Sequence, residues 1–222
     1  MSPRIRCDNP FENKRLVHGS TTMIDIRQIV ALQTELVARW HVEPIYNSMT
    51  GTLGIVCEQH RFNFLLWHEE DIARNPIATE SEIAEVKRAI DRYNQKRNDW
   101  IEKIDDQIAE QLANAQVSPE TGARSNTETP GSAIDRLSIM ALRIYHLREQ
   151  LLRSDSSPEL LESVGRKIEV CQNQHQDLAL AAQTLVHDVF AGRVKHRIYR
   201  QFKMYNDPQL NPQIYNAQQR AA

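Results

Sequence analysis

Three groups of polar side chains fall into register along this chain, and each is of a kind that binds or transfers charge. At about 100° per residue, His60, Asn63, Phe64, Trp67, Asp71 and Arg74 form one stripe. Lys87, Asp91, Asn94, Asn98, Glu102 and Asp105 form a second, with Arg97 beside it. Asp135, Ile139, Leu142 and His146 form a third, flanked by Arg136 and Arg143. An unpaired charge costs several kcal/mol to bury, so charges on covered helix faces must find partners. The expected solution joins Arg97, Arg136 or Arg143 to Asp71, Asp91 or Asp135, with Asn63, Asn94 and Asn98 as neutral bridges. Such a constellation is either a structural network that fixes helix register or the lining of a pocket between three helices. In the pocket reading the arginines clamp an anion through forked hydrogen bonds. Asp71, Asp91 or Asp135 with His60 or His146 supplies proton transfer, the amides together with Arg74 and Lys87 orient the ligand, and Trp67 stacks on a ring.

Other patterns carry less. Glu82-x-x-Glu85 and Glu102-x-x-Asp105 have the spacing of the acidic pairs in helical nucleoside-triphosphate pyrophosphohydrolases. On one continuous helix, however, the pairs stand about 30 Å apart and cannot share a metal unless the helix breaks near Asn94. His187-Asp188 with His146 resembles a metal-dependent phosphohydrolase set only weakly. His60 and His68 point about 80° apart on a helix, poor geometry for one ion. No Glu-x-x-His pair, glycine-rich phosphate loop or nucleophile elbow occurs. The sequence therefore implies no metal and names no cofactor.

The elements that hold these stripes read as helices. Residues 22–41 carry Ile26, Ile29, Val30, Val37 and Trp40 at helical spacing, with Thr22 and Asp25 as a capping pair. A second helix spans about 52–74, its core side expected to be Phe62, Leu65, Leu66 and Ile72, and Asn75-Pro76 ends it. A capping box at Thr79 and Glu82 opens a third helix that runs to about Ala115, with Ile83, Ile90, Ile101, Ile104 and Ile108 inward. Residues 116–131 form a loop. Pro130 suits the first turn of a fourth helix, to about Arg153, that buries Leu137, Met140, Ile144, Leu147 and Leu151. Ser157-Pro158 caps a fifth with a near-heptad seam from Leu161 to Val189, whose spacing extends through Val194, Ile198, Phe202 and Tyr205. The fold class is all-α: an antiparallel bundle of about five long helices, with an N-terminal arm over 1–21, a core over about 22–205 and a C-terminal extension over 206–222. One domain is expected.

Of the 222 residues, 41% are apolar and 25% charged, with 27 basic against 29 acidic side chains. That composition suits a folded chain and excludes the large positive field of a general nucleic-acid binder. Seven glycines argue against a turn-rich all-β architecture. No apolar run is long enough to cross a bilayer, and the N-terminus has no secretory h-region. Cys7, Cys57 and Cys171 lack any pairing or zinc spacing and read as reduced thiols, so a cytoplasmic protein is expected. The Arg193–Lys203 segment alternates basic and aromatic residues, a pattern that most simply describes a solvated helix face.

The run from His60 through Asn63, Trp67, His68, Glu69, Glu70 and Asp71 to Arg74 resembles the bacterial family catalogued as domain of unknown function 4254. The runs Lys87–Asp99 and Glu128–Ile139 resemble it too, and the likeness covers roughly residues 24–150. The resemblance implies a helical protein and a loose association with bacterial cell-envelope glycosyl transfer, with no assigned reaction. Two functions follow as expectations. One is binding of, or catalysis on, a small anionic ligand such as a sugar phosphate or nucleotide sugar. The other is an interaction or scaffold protein acting through helix five, whose seam could also pair two copies, with the polar residues purely structural.

Overall fold

The computed structural model describes residues 24–214 and 216. Five helices make the body: α1 (Ile26–Trp40), α2 (Gly51–Ile72), α3 (Glu80–Asn114), α4 (Pro130–Gln150) and α5 (Pro158–Phe190). Local chemistry sets their starts. Asp25 accepts the Arg27 amide at the head of α1, and Thr79 with Glu82 forms the expected capping box of α3. Thr129 pairs with Ser132 ahead of Pro130 in α4, and Ser157 accepts the Leu160 amide ahead of α5. Each cap satisfies backbone N–H groups that have no partner within the helix. Thr22 and the arm over 1–21 lie outside the described residues, as does most of 215–222.

Neighbours run antiparallel where short turns join them. Gln111 donates to Thr52 at one end of the α2–α3 pair, and Phe62 meets Tyr93 further along. In the α4–α5 pair, Leu137 shares a core cluster with Leu185, and Ile144 shares one with Cys171. The main core is built from Ile26, Ile29, Val56, Ile104, Ile108, Ile134, Leu137 and Val186. A second cluster joins Leu36, Val37 and Trp40 of α1 to Phe64 of α2 and Leu142 of α4. No described helix is long and apolar enough to cross a membrane.

The structure departs from the sequence reading at helix ends. The apolar spacing that continues past Val189 does not make helix: α5 stops at Phe190, and Gly192 follows with φ of 75°. Left-handed backbone favours glycine, and a Cβ there would also stand 2.8 Å from the Ser118 carbonyl oxygen. The chain instead forms the two-residue strand β2 (Val194–Lys195), parallel to β1 (Arg124–Ser125) within the 115–129 loop. It then turns back along α3: His196 Nε2 bonds the Asp105 carbonyl at 2.8 Å, Arg200 grips Glu102 and Asp106, and Asn206 approaches Gln95. Ile72 and Leu151, expected in the core, are 48% and 41% exposed because each lies at or past the end of its helix.

Candidate ligand-binding cleft

Asp135 is the centre at which the three polar stripes meet. It sits in the second turn of α4, buried, and its carboxylate takes hydrogen bonds from two helices. From α2 come Gln59 Nε2 at 2.6 Å and Asn63 Nδ2 at 2.9 Å, both on Oδ1. From α3 comes Arg97, Nε on Oδ1 at 2.7 Å and Nη2 on Oδ2. The same Asn63 amide donates to Ser138 Oγ at 2.8 Å, and that hydroxyl lies 2.7 Å from His60 Nδ1. Of the expected pairings, Arg97 with Asp135 is therefore the one that forms, bridged by Asn63 as expected. The carboxylate holds Arg97 more firmly charged than an ordinary arginine, against the opposing effect of burial.

Arg97 connects this buried network to a cleft. Asn63, Trp67, Asp71, Arg74, Asn94 and Arg97 line a cavity of about 390 Å³ between α2, α3 and α4, with Leu66, Glu70, Ile90, Ile139 and Leu142 completing it. Its lining combines apolar and charged side chains, the make-up of a small-molecule site. Arg97 keeps a 26% exposed side chain against 5% for Asp135, and its Nη1 makes no hydrogen bond with the described residues. Glu70 and Arg74 neutralise each other at 2.5 Å, four residues apart on α2. Asp71 is exposed, and its carboxylate makes no hydrogen bond or ion pair with the described residues. Lys203, from the segment that turns back along α3, is held below the usual lysine range by burial and then by the charge of Arg97, while Asp99 and Asp91 oppose this.

The remaining candidates lie elsewhere. His60 is fully buried and stacks on Trp40 at 5.3 Å, and its burial drops its pKa to about 3, so it is a neutral structural ring. Lys87 and Asp91 are exposed on α3 and do not line the cleft, and Asn98 is buried beside Arg97. Arg136 and Arg143 are exposed and face a separate groove against α5, where Arg136 also reaches Glu128. His146 stands behind the cleft wall, its ring stacked on Trp67 at 4.9 Å and 7°. Of the five residues expected to move protons, only Asp71 reaches the cavity.

Two contributors escape a reading of the sequence. Gln59 and Ser138 belong to the Asp135 network but are types that usually sit at the surface, and nothing short of the fold marks them. Asp105, a member of the second stripe, works apart from the cleft. It is buried and accepts the Gly131 amide at 2.8 Å where α4 begins. Burial pushes its carboxyl up, against hydrogen bonds from Thr129 and Gly131. Cys57 is excluded as a nucleophile, because burial raises its thiol to about 11. The two long-spaced acidic pairs stay on the unbroken α3, as their spacing required.

Compared with known families, residues 53–198, roughly two thirds of the chain, match the profile described as "Protein of unknown function (DUF4254)". Every residue that lines the cleft falls inside that span. No curated protein and no solved structure matches.

Proposed function

The chain belongs to the DUF4254 family of proteins of unknown function, so its role has to be read from its own cleft, and we propose that this cleft binds a small anionic, hydroxyl-rich ligand of the sugar-phosphate or nucleotide-sugar type. The observation that carries the reading is the placement of Arg97. Two of its nitrogens are fixed on Asp135, and the third is left for a ligand at a cavity wall. An arginine immobilised in this way loses little further freedom when it takes up a phosphate, which favours tight and oriented binding. Lys203, held down first by burial and then by the charge of Arg97, adds a second cation outside the cavity lining.

The other lining groups suit a sugar. Asp71 and the Asn94 amide can exchange hydrogen bonds with hydroxyls, and Trp67 offers an aromatic wall backed by His146. Nucleotide sugars are the donors of glycosyl transfer, the setting that the family resemblance implies, and they are made in the cytoplasm, where reduced thiols belong. Of the two carboxylates at the cavity, Glu70 is paired with Arg74 and Asp71 is not, so the reading is binding first; catalysis would fall to Asp71.

Calorimetric titration of the full chain with UDP-glucose, glucose 1-phosphate and inorganic phosphate tests this. Saturable binding of at least one sugar compound is expected, weakened about tenfold or more, over 1.4 kcal/mol, by Asn94→Leu, which removes the amide from the cavity wall while keeping nearly the same side-chain shape. The proposal is overturned if none of the three binds, or if N94L binds as the unmodified chain does.

A second reading, an interaction protein, is favoured by the C-terminal segment. Phe202 is 86% exposed, and Tyr199, Met204 and Tyr205 are exposed beside it. It predicts that the full chain associates in light scattering and that truncation after Arg197 abolishes the association; equal masses per chain for both forms would end it.

A further inference from the structure

His41, His68 and His146 come together at one end of the bundle, from the end of α1, the last two turns of α2 and the later half of α4. Their ring centroids are 5.0, 5.2 and 5.5 Å apart, with planes crossing at 51–69°. One nitrogen from each ring lies within 4.8 Å of the other two. Convergence of three imidazoles needs a reason, because close packing of like rings offers no polar partner to their nitrogens.

The hydrogen bonds identify which nitrogens are unprotonated. His41 Nδ1 is 2.6 Å from the Val37 carbonyl, His68 Nδ1 is 2.8 Å from the Phe64 carbonyl, and His146 Nδ1 is 2.7 Å from Glu149 Oε2. All three partners are acceptors, so Nδ1 carries the proton in each ring and Nε2 presents a lone pair. Nε2 of His41 and of His146 is buried and has no hydrogen-bond partner. A buried acceptor left empty is unfavourable. Two such acceptors together with a third ring point to a shared electrophile.

We propose that His41, His68 and His146 bind one divalent transition-metal ion, zinc foremost, through their Nε2 atoms. Three neutral imidazoles without a first-sphere carboxylate suit zinc and disfavour magnesium or calcium. A tetrahedral zinc with Zn–N bonds of about 2.0–2.1 Å holds its nitrogens about 3.4 Å apart, so the rings need close by little more than an ångström. Each Nδ1–H already donates to a carbonyl or a carboxylate, the arrangement that orients metal-bound histidines, and Glu149 on His146 completes a carboxylate–histidine pair. Three protein ligands leave a fourth position for water or an anion. Along the sequence His68 pairs poorly with His60; its partners in space stand on other helices. Trp67 separates this site from the cleft, stacked on His146 while lining the cavity.

The full chain, free of any affinity tag and treated with a chelator, is titrated with cobalt(II) chloride and then with zinc sulfate. The ligand-field absorption of four-coordinate cobalt should saturate at one ion per chain and be displaced by zinc, and zinc should raise the melting temperature. His68→Ala and His146→Ala should each weaken binding by at least about 100-fold, and Glu149→Gln by about 10–100-fold. His187→Ala, away from the cluster, and the cleft variant N94L should bind cobalt as the unmodified chain does, which separates this site from the proposed ligand cleft. Circular dichroism confirms that each variant is folded; should H68A fail to fold, His41→Ala at the end of α1 takes its place. Absence of a saturable cobalt spectrum and of any zinc-dependent rise in melting temperature overturns the proposal, as does undiminished binding in the folded histidine variants.

Discussion

Arg97 of α3 meets Asp135 of α4 side-on, with Nε on one carboxylate oxygen and Nη2 on the other, so that a single planar pair joins two helices and faces a cleft with its remaining edge. Asp135 is buried and serves Gln59 and Asn63 as well. Removing it leaves a guanidinium and two amides without their acceptor. Asp135→Ala is therefore expected to cost about 3–5 kcal/mol in urea denaturation. Arg97→Met leaves the buried carboxylate without its cation, held only by the Gln59 and Asn63 amides, and should cost a comparable amount. Equal stability of the Asp135→Ala variant and the unmodified chain would mean that the pair is a surface ornament.

The close approach of α3 and α4 near Asp105 rests on one missing methyl group. A Cβ on Gly131 would lie 2.6 Å from the Ile101 carbonyl oxygen and 2.9 Å from Asp105 Oδ1. The first of these is backbone and cannot swing away. Gly131→Ala should destabilise by about 1–3 kcal/mol through overpacking. Gly165, in α5, has nothing within 4 Å of its added Cβ, so Gly165→Ala should stabilise by about 0.5–1 kcal/mol on helix propensity alone. Opposite signs for the two glycines in denaturant titrations check the pair.

Much of this architecture was legible in the sequence because its signals are local. Thr79 with Glu82, Pro130 and Ser157-Pro158 mark helix starts by hydrogen-bond chemistry that needs no tertiary context. Arg97–Asp135 is one of the several pairings that angular position left open among three arginines and three aspartates, since a charge on a covered face has few places to go. Angular position does not tell whether a neighbouring helix covers that face. Lys87 and Asp91 share a stripe with Asn98 and yet stand in solvent, while Asn98 is buried. The end of α5 was hidden for a similar reason: Val194 and Ile198 keep helical spacing, and Gly192 alone carries the break. His41 belongs to no stripe, because it caps α1 and meets His68 and His146 only in three dimensions.

The C-terminal end of α3 carries a correctable strain. Gln116 adopts φ of 55°, the left-handed position after a helix where glycine is preferred, and the Val117 amide bonds back to Leu112 at 2.9 Å. A side chain in that conformation costs of the order of 1 kcal/mol relative to glycine. Gln116→Gly should raise stability by about 0.5–1 kcal/mol, seen as a higher urea midpoint at unchanged slope. A lower midpoint would show that the Gln116 side chain contributes more than its backbone costs.

His60 sets the acid limit of the fold. It is fully buried between Trp40 and Ser138, and burial drops its pKa from 6.5 to about 3, with only the Gln33 backbone acting weakly the other way. The unfolded chain thus binds a proton at His60 between about pH 6.5 and 3 that the folded chain refuses. Stability must fall with pH across that window, by up to about 1.4 kcal/mol per unit from this residue. His146 and His175, also depressed by burial, add to the same slope. Asp105 works in the opposite sense, because its raised pKa makes the folded chain the better proton binder just above the ordinary carboxylate range. His60→Gln can keep a hydrogen bond to Ser138 and cannot titrate, so the difference in slope between it and the unmodified chain isolates the one residue. Denaturation in urea at intervals from pH 7 to about pH 4 should show the unmodified chain losing stability more steeply than the glutamine variant below about pH 6.5. Parallel curves would place the proton on His60 in the folded state too, and with it a charge inside the network that holds Asp135.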